Sequence, residues 1–330
     1  MKSAYCLAAV ALAVITATAQ AETCNKPLKV FTRIPLTAAD GIPHLQMQVE
    51  IDGKPVKLAL DTGAHASIIS QKTASALGLK LIDAPVKSYD VTGHYSNHMV
   101  EASFKFGQIR FEKVQFMVSE TMDQMDGDGV IGANLLSMFD VSIDPAGRQI
   151  DLLSQDHCPD NVIYWPATVF ARIPFNRSPD NQIIVNVMLD GKPLKAVLDT
   201  GAENSTLFLK TAQRQFGLTP GAPDTPSAGT VNGKLAAYQH TFKSLTFNDV
   251  AVGNPTITLI PDQMTEHFTQ VPTGSRIALT DEVMRWDMLL GMNVLRHLHL
   301  YIAYKDRVLY LTAAQPSGTA VAQPSGAKAQ

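Results

Sequence analysis

The sequence predicts an all-β protein of two homologous lobes, each a small β-barrel or folded sheet carrying short helices. Three observations carry that prediction. The chain repeats itself: residues 52–64 align without a gap on residues 190–202, 138 positions later. Each copy holds Asp-Gly between two apolar segments, a strong signal for a tight hairpin turn. Beyond each copy lie long runs rich in Phe, Val, Thr and Ile, residues 99–118 and 238–260, which read as paired strands.

The repeat extends past its core. Upstream, Phe31-Thr32-Arg33-Ile34-Pro35 matches Phe170-Ala171-Arg172-Ile173-Pro174, and downstream Leu77-Gly78-Leu79 is echoed by Phe216-Gly217-Leu218. Farther on, residues 128–136 pair with 287–295 at an offset of 159, so the second half holds about 20 extra residues, placed around 266–282. A unit of about 140 residues is too long for a solenoid repeat and suits two domains of ordinary size. The expected organisation is a signal peptide over 1–21, lobes over 22–165 and 166–313, and a disordered tail over 314–330.

In order along the chain, Lys2 and the apolar run 7–19 ahead of Ala19-Gln20-Ala21 read as a cleaved secretory signal. The run is shorter than the roughly 20 residues a membrane span needs, so no stable membrane anchor is expected and the protein is placed in the periplasm or outside the cell. Cys6 leaves with the signal. Cys24 and Cys158 remain, and one pair in an oxidising compartment reads as one disulfide; isolated cysteines lack the spacing of a zinc site. Each half then opens with an alternating strand, 45–51 or 183–189, turns at Asp-Gly, and runs a second apolar strand into Asp-Thr-Gly. Gly63 and Gly201 are expected to permit the sharp turn there. A short helix follows, 71–77 or 209–216, closed by Gly78 or Gly217. The tail repeats Ala-Gln-Pro-Ser-Gly and lacks the apolar residues of a fold.

Charge excludes some functions. With 27 Lys and Arg against 30 Asp and Glu the net charge is -3, which leaves no electrostatic footprint for nucleic acid or anionic lipid. Residues 127–132 match G-x-G-x-x-G, but no βαβ unit surrounds them, so no dinucleotide is expected. His297 and His299 would share a strand face with no third ligand nearby, and read as strand or surface histidines. No cofactor or metal is implied.

The chemistry lies in Asp61-Thr62-Gly63-Ala64 and Asp199-Thr200-Gly201-Ala202. One Asp-Thr-Gly arises by chance in about 1 chain in 15 of this length, and its plain reading is a turn. Two copies at equivalent positions, each behind an apolar strand and each followed by an apolar-apolar-Gly-x-Asn-x-Leu segment, are not explained that way. With these motifs the chain resembles the retropepsin and pepsin group of aspartic proteases over nearly all of residues 28–313.

The resemblance implies retropepsin-like lobes related by a pseudo-twofold axis, with Asp61 and Asp199 as the catalytic pair over a peptide cleft. It implies that Thr62 and Thr200 bond across the axis and that Val130-Ile131-Gly132 and Leu289-Leu290-Gly291 pack beneath the loops. It further implies an exported, bacterial-type aspartic endopeptidase acting on peptide or protein, for which one chain suffices as an internal pseudo-dimer. The alternative is a non-catalytic peptide-binding protein that uses the same cleft.

Two carboxylates about 3 Å apart repel by roughly 5 kcal/mol at an effective dielectric near 20, so one ionises while its partner keeps a proton. Ala64 and Ala202 stand where the pepsin branch carries a hydroxyl that lowers the working pH, and their presence points to mildly acidic to near-neutral activity. The retroviral acid after the motif is replaced by His65 and Glu203, and the arginine that pairs with it by Ala133 and Met292. His65 and Glu203 read either as unlike groups facing the cleft or as solvated surface residues. Flap candidates are residues 89–93, with Thr92 and Gly93, and residues 229–233, with Asn232 and Gly233; one or both could cover substrate.

Overall fold

The computed structural model describes residues 24–37, 44–89, 95–124, 127–178, 181–231, 233, 235–262 and 286–315. The expected signal peptide, Thr92, Gly93, Asn232, the extra segment 266–282 and nearly all of the tail lie outside them. The first half forms β1 (Val30–Thr37), β2 (Gln46–Ile51), β3 (Lys54–Leu60), β4 (Ile68–Ser70), α1 (Gln71–Leu77), β5 (Ile82–Tyr89), β6 (Tyr95–Phe106), β7 (Ile109–Ser119), β8 (Gly129–Ile131), α2 (Ala133–Leu136), β9 (Asp140–Asp144) and β10 (Gln149–Leu153). The second forms β11 (Ala171–Arg177), β12 (Ile183–Leu189), β13 (Lys192–Leu198), β14 (Thr206–Phe208), α3 (Leu209–Phe216), β15 (Ser227–Val231), β16 (Leu235–Thr241), β17 (Ser244–Phe247), β18 (Val250–Gly253), β19 (Thr256–Ile260), β20 (Met288–Leu290), α4 (Met292–Leu295), β21 (Leu298–Ala303) and β22 (Val308–Ala313). The chain is all-β with short helices, as expected. Among the described residues no helix is long and apolar enough to cross a membrane.

Local chemistry explains the first hairpin of each half. Asp52 and Gly53 have φ of 47° and 73°, and Asp190 and Gly191 have 44° and 74°, so both central positions are left-handed as a two-residue hairpin turn with native twist demands. Each aspartate also ties its turn to a neighbouring strand: Asp52 Oδ1 accepts from Ser103 N at 2.7 Å, and Asp190 Oδ1 from Lys243 N and Ser244 N at 2.8 Å. Gly78 and Gly217, with φ of 75° and 68°, end α1 and α3 in the left-handed conformation a side chain would resist.

The long second-half hairpin differs from its expected form. Where β6 and β7 run 12 and 11 residues, the corresponding segment is broken into β16 with β17 and β18 with β19. Asn254 sits at φ 50° and Pro255 has no N–H, so the ladder bends there. It stays joined by Phe242 N to Pro255 O and Asn254 N to Lys243 O, both 3.0 Å.

Beneath the lobes runs a six-stranded antiparallel sheet in the order β1-β10-β9-β21-β22-β11. Its central register pairs Val141 with Ile302, Ser142 with Tyr301 and Ile143 with Leu300. Under the 159-residue offset of this part of the repeat, Ser142 maps onto Tyr301 and the two flanking pairs exchange. A pseudo-twofold axis therefore passes between Ser142 and Tyr301.

The connector between the halves covers one face of this sheet. Val162 is fully buried with Leu153, Tyr301, Ala303, Val308 and Tyr310, and Trp165 packs on the same cluster. The disulfide Cys24–Cys158 holds the start of the described chain against this connector. Beside it His157 Nε2 meets Asp140 Oδ2 at 2.6 Å, and Asp140 also accepts from Tyr301 OH at 3.2 Å and Tyr304 N at 3.0 Å. Burial holds the Asp140 carboxyl above its ordinary range. Burial opposes charge on His157 as well, yet the Cys158 carbonyl and Asp140 keep that imidazole above its own.

His299 behaves oppositely, and its placement corrects the sequence reading. His297 precedes β21 and is exposed, so the two imidazoles do not share a strand face. His299 is buried, stacks on Trp165 at 3.7 Å, and bonds Ser142 Oγ through Nε2 at 2.9 Å. Burial pulls its pKa down to about 4. Unfolded histidine titrates near 6.5, so between those values the unfolded chain binds more protons, and stability contributed by neutral His299 is lost as pH falls through the window. We expect the wild type to lose about 2 to 3 kcal/mol more than His299→Gln between pH 7 and pH 4, measured by urea unfolding. Equal losses would show that His299 does not govern acid sensitivity. His157 contributes with the opposite sign in both proteins and cancels from the comparison.

Candidate active site

Asp61 and Asp199 each follow the last residue of an interior strand, and a parallel neighbour holds each in place. β3 pairs in parallel with β8, with Leu60 beside Ile131, and Asp61 N donates to Ile131 O at 3.1 Å. β13 pairs in parallel with β20, with Leu198 beside Leu290, and Asp199 N donates to Leu290 O at 3.0 Å. The apolar-apolar-Gly segments thus lie directly against the two loops. A Cβ on Gly132 would come within 2.8 Å of Ala64 O, and one on Gly291 within 2.9 Å of Ala202 O, so glycine is what lets these segments approach. The contact is closed by Ala133 N to Ala64 O and Met292 N to Ala202 O, both 2.8 Å.

Two threonines lock the loops together across the axis. Thr62 N donates to Thr200 Oγ1 and Thr200 N to Thr62 Oγ1, both at 3.1 Å. Thr62 Oγ1 donates to Leu198 O at 2.9 Å and Thr200 Oγ1 to Leu60 O at 2.8 Å. Both side chains are fully buried. Thr62→Val keeps the shape but leaves the Thr200 N–H and the Leu198 carbonyl without partners, at about 1 to 3 kcal/mol each. We expect it to lower unfolding free energy by about 2 to 5 kcal/mol in denaturant titrations, with Thr62→Ser close to the parent. A valine variant as stable as the parent would remove the grip from the account of interlobe stability.

The lock brings the carboxyls of Asp61 and Asp199 into hydrogen-bond contact with each other. Each also lies over the opposite loop's glycine. A Cβ on Gly63 would stand 2.6 Å from both Asp199 oxygens, and one on Gly201 within 2.6 Å of both Asp61 oxygens. The chain turns at both glycines, as expected, but neither has positive φ: glycine is needed there for the space it leaves, not for left-handed backbone.

The surroundings of the two acids differ. Asp61 Oδ1 accepts from Gly63 N at 2.9 Å and Ala64 N at 2.8 Å. Asp199 Oδ1 accepts from Gly201 N at 2.8 Å, while Ala202 N reaches the Asp199 main-chain carbonyl at 3.4 Å. Burial raises both carboxyls above their ordinary range. Asp199 is raised well above it, because the Asp61 charge adds to its desolvation; backbone donors lower both acids, and the bond from Asp199 further holds Asp61 back. One proton shared with Asp199 as donor and Asp61 as acceptor fits this asymmetry.

Sequence reasoning missed a second pair of supports. Asn134 Oδ1 accepts from Ser67 N at 2.8 Å and Ser67 Oγ at 2.9 Å, and Gly132 N donates to Ser67 Oγ at 3.0 Å. Asn293, Ser205 and Gly291 repeat the triangle at 2.8, 2.8 and 2.9 Å. The signal was present: a serine stands six residues after each aspartate in both halves. His65 and Glu203 are exposed at the far end of each loop. Of the flap candidates, Gly233 lies at the exposed tip between β15 and β16 with φ 66°. Gly229 on the same hairpin has φ 90°.

Known proteins were compared with this arrangement. The family model described as aspartyl protease matches residues 47–135 and 185–294, together more than half the chain and one match per lobe. No curated protein matches. Among solved structures, basic 7S globulin from soybean superposes with a TM-score of 0.51 at 9% identity, covering 91% of this chain and 100% of that one. Conglutin gamma, a basic 7S globulin from lupine seeds, gives a TM-score of 0.49 at 9% identity, covering 88% and 96%. At such identity the soybean likeness shows the fold alone. Two matched regions, one around each Asp-Thr-Gly, establish that the chain belongs to the aspartyl protease family.

Proposed function

We propose that this protein is an exported aspartic endopeptidase in which Asp61 and Asp199 activate water between lobes spanning 22–165 and 166–313. The observation that carries the reading is the hydrogen-bonded carboxyl pair, set on equivalent loops and raised by burial. Ionised Asp61 takes a proton from the attacking water as its oxygen bonds the scissile carbonyl carbon, and Asp199 gives its proton to the carbonyl oxygen. The C–N bond then breaks as the proton on Asp61 passes to the leaving nitrogen and a hydroxyl of the tetrahedral intermediate returns its proton to Asp199, which leaves a carboxylic acid and an amine and restores the starting pair. Both carboxyls come from one chain, so a monomer suffices, and the Cys24–Cys158 bridge fits an oxidising compartment outside the cytoplasm.

The working form carries one proton on the pair. Rate falls when acid protonates both groups and when base ionises both, so a bell-shaped profile is expected. Burial raises both acids, which moves that bell above the range of free carboxylates toward mildly acidic to near-neutral pH.

The test is to incubate the purified protein with an unfolded protein substrate across pH 4 to 7 and identify new peptide termini by mass spectrometry. New termini that vanish with Asp61→Asn and Asp199→Asn support the reading. Peptide binding without cleavage over the whole range would instead make this a peptide-binding protein.

A further inference from the structure

His44 and Gln182 occupy equivalent positions in the repeat, just ahead of β2 and β12. In the first hairpin Gln46 faces Ala59 and Leu60 N donates to Leu45 O at 2.8 Å, a register that brings His44 opposite Asp61. In the second, Ile184 faces Val197, which brings Gln182 opposite Asp199. Directly opposed residues of an antiparallel pair present their side chains on one face. Each aspartate therefore has one of these residues as its cross-strand neighbour, and the two are chemically unlike.

Gln182 is uncharged, and its Nε2 donates to Gly63 O of the opposite loop at 3.2 Å. His44 is half-buried, and its Nδ1 is enclosed with no hydrogen-bond partner among the described residues. Enclosing a polar nitrogen without a partner is a cost that stability alone does not explain. When charged, His44 acts on Asp61 by direct electrostatic attraction. Among the described residues the other titratable group facing Asp61 is Asp199, from the opposite loop; His65 and Glu203 come four residues after the aspartates on exposed surface.

We propose that His44 is a positioning residue for the pair: standing across from Asp61, where the other half carries an uncharged glutamine, it makes Asp61 the ionised member and leaves the shared proton on Asp199. The repeat supplied two equivalent acids, and divergence at this one cross-strand position gives them separate roles as base and acid. The inference rests on the proposed dyad chemistry, so its test needs a readout that does not depend on turnover.

That readout is carboxyl ¹³C NMR of aspartate-labelled protein, with resonances assigned through Asp61→Asn and Asp199→Asn. In His44→Gln, which installs the residue type of the other half, the apparent pKa of Asp61 is expected to rise by about 0.5 to 1 unit. The acid limb of the kcat/KM profile should move up by the same amount, whereas His44→Arg, which places a fixed positive charge there, should not raise it. An Asp61 titration within about 0.2 unit of the parent in His44→Gln would overturn the proposal, as would a uniform loss of activity at every pH with no shift. If the parent cleaves no peptide, the protease reading fails while the titration still decides the role of His44. Should His44→Gln not fold, His44→Asn makes the same comparison.

Discussion

Asp199→Asn is expected to abolish peptide cleavage while making the protein more stable at neutral pH. The variant keeps the shape of the side chain but can neither hold nor release the shared proton, so kcat should fall by at least about 10³-fold with peptide binding retained. The stability gain follows from the raised pKa. An unfolded aspartate ionises near 3.8, whereas folded Asp199 resists ionisation because it is desolvated and faces Asp61. Above 3.8 the native state therefore binds more protons than the unfolded chain, and stability falls as pH rises toward the folded pKa. Removing the acid removes that penalty. Steady-state kinetics and urea unfolding at pH 7 read the two effects on one sample. Residual cleavage within tenfold of the parent would dismiss Asp199 as the acid. A loss of both activity and stability would mean that its role is structural. Asp61→Asn should lose activity as fully but gain less stability, because the Asp61 carboxyl is raised less than that of Asp199.

The second large effect is expected from a single methyl group. In Gly63→Ala the new Cβ would stand 2.6 Å from both Asp199 oxygens, well inside a comfortable contact of about 3.5 Å. Relief requires the Asp199 carboxyl to swing aside or the opposed loops to part, and a displacement of about 1 Å either way costs catalysis about 100-fold. The threonine grip resists that parting, so the strain should also appear as about 1 to 3 kcal/mol of lost stability. Gly201→Ala should act alike by displacing Asp61. Gly53→Ala is the matching control. It strains a left-handed turn at φ 73° with nothing near the added methyl, so activity per folded molecule should be unchanged. Wild-type kcat in Gly63→Ala would mean that the two loops are not held as closely as these contacts require.

Much of this was legible beforehand because it is written in local patterns. The ranges of α1 and α3 follow from short segments closed by Gly78 and Gly217. The Asp-Gly hairpins could be read because both turn positions demand left-handed backbone, which few residue pairs supply. The broken hairpin of the second half was not read, since the bend at Asn254 and Pro255 looks like any loop until its strands are registered. The serine–asparagine latch was missed for a similar reason: Ser67 and Asn134 are 67 residues apart, and nothing local links them.

Sequence alone determined the duplication, the strand-turn-strand units and the identity of the two matched aspartates. Those are properties of short segments and of their recurrence, and composition and spacing carry them. Only the tertiary structure decided what the aspartates do to each other. Their contact, the space left by Gly63 and Gly201, and the unequal company of His44 and Gln182 arise where loops 138 residues apart meet at a pseudo-twofold axis. The axis makes the halves equivalent in backbone. Desolvation and charge at that meeting point then make them unequal in chemistry, and no pattern within either half encodes that sum.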